Sequence, residues 1–158
     1  AMAIAARFPG LTQVYCVFHG MCEDDVKTIM RHRNTAVGSD AWEPRASEAR
    51  PHPRMFGTFP RVLGHYARAQ QLFPMEEAVR RMTGLPARRL GFKDRGLLQE
   101  GAWADIAVFD PATVIDRATF DDPKQYPVGF DYVLVNGQLT VDHGQYTGAL
   151  PGVFVSRP

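Results

Sequence analysis

Val14-Tyr15-Cys16-Val17-Phe18, then Glu23 through Arg33, then Thr35-Ala36-Val37-Gly38-Ser39-Asp40 make up the stretch whose reading decides the fold class. The first run is continuously apolar, β-branched and aromatic, which predicts a buried strand, and His19-Gly20 ends it. The middle segment predicts a helix. Val26, Ile29 and Met30 fall at i, i+3 and i+4 and give one apolar stripe. Glu23, Asp24 and Asp25 open it, and Arg31, His32 and Arg33 close it, so both charge sets complement the helix dipole. Thr35-Ala36-Val37 then reads as a second short buried strand. Strand, helix, strand is a βαβ unit, which requires parallel strands and a right-handed crossover.

Working outward, residues 41–58 are a long polar loop rich in Pro, Gly and Arg, a type that is usually functional or mobile. Pro60 is expected to start a helix at its preferred first position, reaching about Gln71. Pro74 is expected to start the next, with Ala78, Val79 and Met82 as its apolar face and Gly84 at its end. Leu85 to Leu90 adds a further helical turn or two. After Gly91 the pattern turns to strands, at Trp103 to Asp110 and at Tyr132 to Val135. Asn136-Gly137, set between Val133-Leu134-Val135 and Leu139-Thr140-Val141, is the strongest hairpin signal in the chain. Gly152 to Ser156 is expected to form one more strand. Residues 1–90 therefore read as α/β and residues 91–158 as mostly β.

Length and composition bound the answer. The chain has 158 residues, enough for one domain but too few for a (β/α)₈ barrel, which needs roughly 200 to 250. With 45% hydrophobic and 22% charged residues it reads as globular, not disordered. A net charge of +1 gives no electrostatic case for nucleic acid or an anionic membrane. No apolar run approaches a membrane span and the start does not resemble a secretory signal. Cys16 and Cys22 are too few for a disulfide scaffold and fit a cytoplasmic setting.

Three places carry candidate chemistry. Asp40 directly follows a predicted parallel strand, where α/β folds build their sites, and a carboxylate there can serve as a base or a metal ligand. The plain alternative is a turn or cap aspartate. In Pro51-His52-Pro53-Arg54, His52 is a candidate ligand or acid–base group, and the planar fork of Arg54 suits a carboxylate. A surface turn whose arginine pairs with a nearby acid is the alternative there. His19 ends the first strand and is weighed against an ordinary hydrogen-bonded histidine. His32, His65 and His143 read as surface residues. There is no nucleophile elbow around Ser39 and no Gly-rich phosphate motif.

Taken together, Val37-Gly38-Ser39-Asp40, Pro51-His52-Pro53-Arg54-Met55-Phe56-Gly57-Thr58-Phe59-Pro60-Arg61-Val62-Leu63-Gly64 and Glu77 through Arg88 closely resemble the N-acyl-D-amino-acid deacylases, or D-aminoacylases, of the amidohydrolase superfamily. The resemblance continues through Gly101-Ala102-Trp103-Ala104-Asp105, Val108-Phe109-Asp110-Pro111, Val135-Asn136-Gly137 and Thr147-Gly148, covering about residues 9 to 158.

The resemblance implies a partial (β/α)₈ barrel, its last two strands and their helices, in residues 1–90. The mostly β segment 91–158 would then belong to a small β-domain. It implies zinc-dependent hydrolysis of N-acyl-D-amino acids, with Asp40 as the catalytic base and a metal-site aspartate. Arg54, with His52 beside it, would bind the substrate carboxylate. The segment from Glu43 to Arg50 lengthens the Asp40-to-Arg54 loop relative to the family. The family's H-x-H pair, its metal-binding Cys and its other His ligands would lie upstream of residue 1. The chain alone is therefore expected to hold no zinc and to be inactive. A non-catalytic, self-associating module is the alternative from another class, since two parallel strands leave open edges. An amidohydrolase acting on cyclic amides is the third, against which His52-Pro53-Arg54 speaks.

Overall fold

Helix α1, Glu23–Arg31, opens the part of the chain that the computed structural model describes, which is residues 20–42 and 51–156. The expected strand at 14–18, Cys16, His19 and the inserted segment 43–50 lie outside the described residues. The first turn of α1 carries Glu23, Asp24 and Asp25 and its last turn Arg31, as the dipole favours. Val26 and Met30 pack against the core, but Ile29 is 61% exposed, so the expected three-residue stripe buries two of its members. Residues 35–37, expected as a strand, have no strand partner among the described residues. Instead the Val37 N–H donates to the Arg81 carbonyl at 3.1 Å. A parallel strand exists only beside another, and the partner expected for this one lies outside the described residues.

Helix α2 spans Arg54–Arg61 and runs on into a π-helical stretch, Val62–Ala69. It therefore begins before Pro60, and Pro60 lies inside it rather than at its first position. The start at Arg54 is explained by what precedes it. Pro53 already has helical dihedrals, and the Nδ1 of His52 accepts the Arg54 N–H at 3.1 Å, satisfying one of the donors that a helix start leaves open. Pro60 has no N–H to donate to the preceding turn, and the helix changes to wider π-helical pairing just past it.

Helix α3, Met75–Met82, follows Pro74, and helix α4, Gly84–Leu90, follows directly. Gly84 was expected to end α3 and instead starts α4. The break falls at Thr83, whose φ and ψ of −129° and −86° belong to neither helix. Gly91, at φ 87°, ends α4 in the left-handed conformation that glycine adopts without strain.

The remaining segment builds an antiparallel sheet in the order β1-β2-β3-β4, with β1 Ile106–Phe109, β2 Phe130–Val135, β3 Gln138–Asp142 and β4 Gln145–Tyr146. Asn136 and Gly137, at φ 47° and 79°, make the expected two-residue hairpin between β2 and β3. Asp105 pins that turn, its Oδ1 accepting the Asn136 N–H at 2.8 Å and its Oδ2 pairing with Arg95. Arg95 also lies over the Trp103 ring, and Asn136 Nδ2 donates to the Pro151 carbonyl at 2.7 Å. Residues 152–156, expected as a strand, pair with no strand among the described residues, and Phe154 is 94% exposed.

One core joins helices and sheet. Val62, Leu63, Tyr66, Ala67, Phe73, Ala78 and Val114 are buried, and Phe109 and Phe130 of the sheet pack against them. The helix–sheet seam is tight at Gly64, where a Cβ would fall 2.2 Å from the Val114 carbonyl oxygen. Arg68 donates to that same oxygen at 2.7 Å. Asp110 shapes the turn before it, accepting the Ala112 N–H at 2.8 Å and the Thr113 hydroxyl at 2.9 Å, and these bonds lower its carboxyl pKa.

Candidate functional site

Asp40 is delivered by the segment after α1, and three arginines fix that segment. Arg81 donates to the Met30 carbonyl, Arg80 to that of Arg33 at 2.6 Å, and Arg89 to that of Asn34 at 2.7 Å. They satisfy carbonyls at and beyond the C-terminus of α1, where no intrahelical partner exists. Arg81 is 3% exposed and lies over the Phe73 ring. Its charge is balanced by Glu77, whose Oε1 accepts from Arg81 Nε at 2.7 Å while Arg80 binds the same carboxylate at 2.6 and 2.8 Å. The hydrogen bond from Arg80, with Arg81 adding to it and partial burial opposing, holds Glu77 at about 2, below its usual 4.5.

Beyond this brace the backbone turns at Asp40, which has a φ of 49°, the left-handed region that aspartate tolerates better than most residues. The turn directs its carboxylate to Arg54, and Asp40 Oδ2 lies 3.0 Å from Arg54 Nη1. The Asp40 side chain is largely exposed and that of Arg54 mostly covered. The guanidinium also sits over the Trp42 ring, 5.5 Å from its centroid. Arg54 Nε is buried and has no hydrogen-bond partner among the described residues. On the other side of Arg54, His52 accepts its backbone N–H, so Nδ1 carries a lone pair and the neutral ring has its proton on Nε2. The His52 ring meets Phe120 edge to face, with centroids 5.2 Å apart.

Asp40, Arg54 and His52 thus converge, while His19, the other candidate, lies outside the described residues. Asp40 and Arg54 touch, and His52 orients the first turn of the helix that carries Arg54. Trp42 and Phe120 were not anticipated. Trp42 carried no local signal, because the left-handed turn at Asp40 breaks the alternation of an extended backbone. Phe120 carried none, since its approach depends on tertiary packing. Cys22 is a free, exposed thiol. Among the other histidines, His65 bonds Gln70 at 2.8 Å and His143 bonds the Tyr132 hydroxyl at 2.9 Å, both at the surface.

Among the described residues no three His, Cys, Asp or Glu side chains gather to hold a metal ion. A single carboxylate engaged by a guanidinium does not fit a catalytic zinc, which keeps three protein ligands. What the arrangement can do is bind and move protons. A guanidinium beside a carboxylate offers one group to seize an anionic substrate and one to act as a base next to it.

The helix layer, the antiparallel sheet and the acid–arginine pair are the frame against which known proteins are compared. The sequence profile of the amidohydrolase family matches residues 6–141, and the chain belongs to that family. It is 46% identical over 149 residues to a D-aminoacylase of Alcaligenes xylosoxydans xylosoxydans, covering 94% of this chain and 30% of that protein. It is 49% identical over 121 residues to an N-acyl-D-glutamate deacylase of the same organism, covering 77% of this chain and 24% of that one. A crystal structure of D-aminoacylase superposes with a TM-score of 0.76 at 48% identity, over 82% of this chain and 27% of that one. The N-acyl-D-glutamate deacylase of Bordetella bronchiseptica, solved with zinc and a phosphonate mimic of the tetrahedral intermediate, gives 0.71 at 55%, over 76% and 25%. The chain therefore spans 24% to 30% of the length of these relatives.

Proposed function

We propose that this chain supplies the C-terminal part of an N-acyl-D-amino-acid deacylase. Residues 1–90 contribute the last two strands and helices of a (β/α)₈ barrel, and residues 91–158 the C-terminal share of a small β-domain. The contact that carries the reading is the 3.0 Å pair of Asp40 and Arg54. In an N-acyl amino acid the amide nitrogen and the carboxylate are attached to the same carbon. A substrate whose carboxylate is held by Arg54 therefore presents its amide to the base that neighbours Arg54.

Asp40 then takes the proton from the attacking water and passes it to the leaving nitrogen. Arg54 exchanges its contact with Asp40 for the substrate carboxylate, and His52 keeps the first turn of α2 in place. Zinc, whose ligands would come from the rest of the enzyme, would supply the activation of that water. A cytoplasmic setting belongs to the same proposal and accords with the exposed free thiol of Cys22. Purified chain assayed with added zinc against several N-acetyl-D-amino acids is expected to show no turnover. Turnover that Asp40→Ala abolishes would overturn the division of the site between this chain and the rest.

A second reading, a self-associating non-catalytic module, is favoured by one observation. Ile29, Leu98, Leu150 and Phe154 are 61%, 83%, 88% and 94% exposed, apolar side chains that a second copy would cover. Light scattering coupled to size exclusion tests it, and a clean monomer at high concentration would count against association.

A further inference from the structure

Helix α2, which begins with Arg54, is flanked along its length by the segment that leads from Val114 to Val128. Asp116 of that segment pairs with Arg61 at 3.3 Å and lies 3.1 Å from where a Cβ on Gly57 would stand. Tyr126 meets Phe56 edge to face at 5.8 Å, and Phe120 meets His52 at 5.2 Å with the rings 81° apart. His52 and Phe56 precede and follow Arg54 in sequence, so two aromatic rings from the β-rich half contact the chain just before and just after the guanidinium-bearing residue.

We propose that Phe120 is a positioning residue for Arg54, acting through His52. The T-shaped contact with the Phe120 ring fixes the imidazole plane. The imidazole Nδ1 in turn holds the Arg54 N–H at 3.1 Å, so the rotation of His52 sets the direction in which Arg54 leaves the helix. This rests on the assignment of Arg54 to the substrate carboxylate. Phe120 is 48% exposed and is not one of the buried core residues. The seam at Gly64, Arg68 and Val114 anchors the same segment independently. Removing the Phe120 ring is therefore expected to loosen the site and leave the fold.

The test is ¹⁵N NMR of the 158-residue chain, reading the His52 ring nitrogens and the Arg54 amide and Nε signals. The wild-type chain is expected to show His52 as the neutral tautomer protonated on Nε2. Phe120→Ala is expected to shift the Arg54 signals and mix the His52 tautomers, while His143, which bonds Tyr132 away from the site, stays unchanged. Phe120→Tyr, which keeps the aromatic ring, is expected to restore the wild-type pattern. If Phe120→Ala disturbs His143 as well, Phe120→Leu replaces it, being bulky but lacking an aromatic edge, and is expected to behave as the alanine variant should. Arg54 signals that match wild type in a folded Phe120→Ala or Phe120→Leu chain would overturn the proposal, as would a wild-type His52 protonated on Nδ1. These spectra read side-chain position rather than turnover, so failure here and failure of the deacylase reading are separate results.

Discussion

Asp40 and Arg54 meet through one 3.0 Å contact between a left-handed turn and the first residue of a helix. Because the carboxylate is largely exposed, this pair contributes little to stability, about 0 to 1 kcal/mol. In the proposed function its significance is geometric, since a guanidinium to hold the substrate carboxylate and a carboxylate to act as base would lie within reach of one small substrate. In an assembled deacylase, Arg54→Lys is expected to raise KM roughly tenfold or more, since a lost charge-assisted hydrogen bond costs about 1.5–3 kcal/mol. Asp40→Asn is expected to lower kcat by about 10² to 10⁴ with little change in KM. Steady-state kinetics on N-acetyl-D-amino acids separates the two effects.

The Glu77 cluster yields a pH prediction. Its carboxyl lies at about 2 in the folded chain against 4.5 ordinarily, so folding favours the ionised form. The resulting stability is fully present above about pH 4.5 and is lost as pH falls toward 2. Glu77→Gln is expected to cost on the order of 2 kcal/mol near neutral pH, because it leaves the buried Arg81 without its counter-charge. Denaturant melts at a series of pH values should show wild type and variant converging in acid. A gap that stays constant down to pH 2 would contradict the assignment.

Gly64→Ala tests the seam between helices and sheet. The added methyl would stand 2.2 Å from the Val114 oxygen and 2.6 Å from an Ile115 methyl, and backbone does not yield cheaply. A loss of about 2 to 3 kcal/mol is expected from overpacking. A thermal melt unchanged from wild type would show that the seam is looser than described.

Asp105→Ala removes the acceptor of the Asn136 N–H and the partner of Arg95 together. The expected cost is about 1 to 3 kcal/mol, concentrated at the β2–β3 turn. Amide hydrogen exchange is expected to quicken at Asn136 and Gly137 while the amides of α3 keep their protection.

Much of this was legible in the residues, for reasons that differ by element. Asn136-Gly137 specifies its turn locally, because two successive positive φ values suit that pair, and the hairpin stands where it was expected. The face of α3 followed from spacing, and Ala78 is fully buried. Pro60 misled, because a proline that suits a first turn can also sit within a helix whose start is fixed by something else, here His52. Gly84 misled in the same way, starting a helix that tertiary packing extends. Asp40, Arg54 and His52 could be singled out by residue type. Their mutual geometry could not, because it depends on three arginines from α3 and α4 and on a phenylalanine from the β-rich half.

The most direct test of the central claim is to supply this chain with the upstream portion of a related D-aminoacylase, add zinc, and measure hydrolysis of N-acetyl-D-amino acids. The account predicts turnover only when both pieces are present, with kcat lowered about 10²- to 10⁴-fold by Asp40→Asn and KM raised by Arg54→Lys. Turnover by the mixture that is indifferent to Asp40→Asn would contradict it.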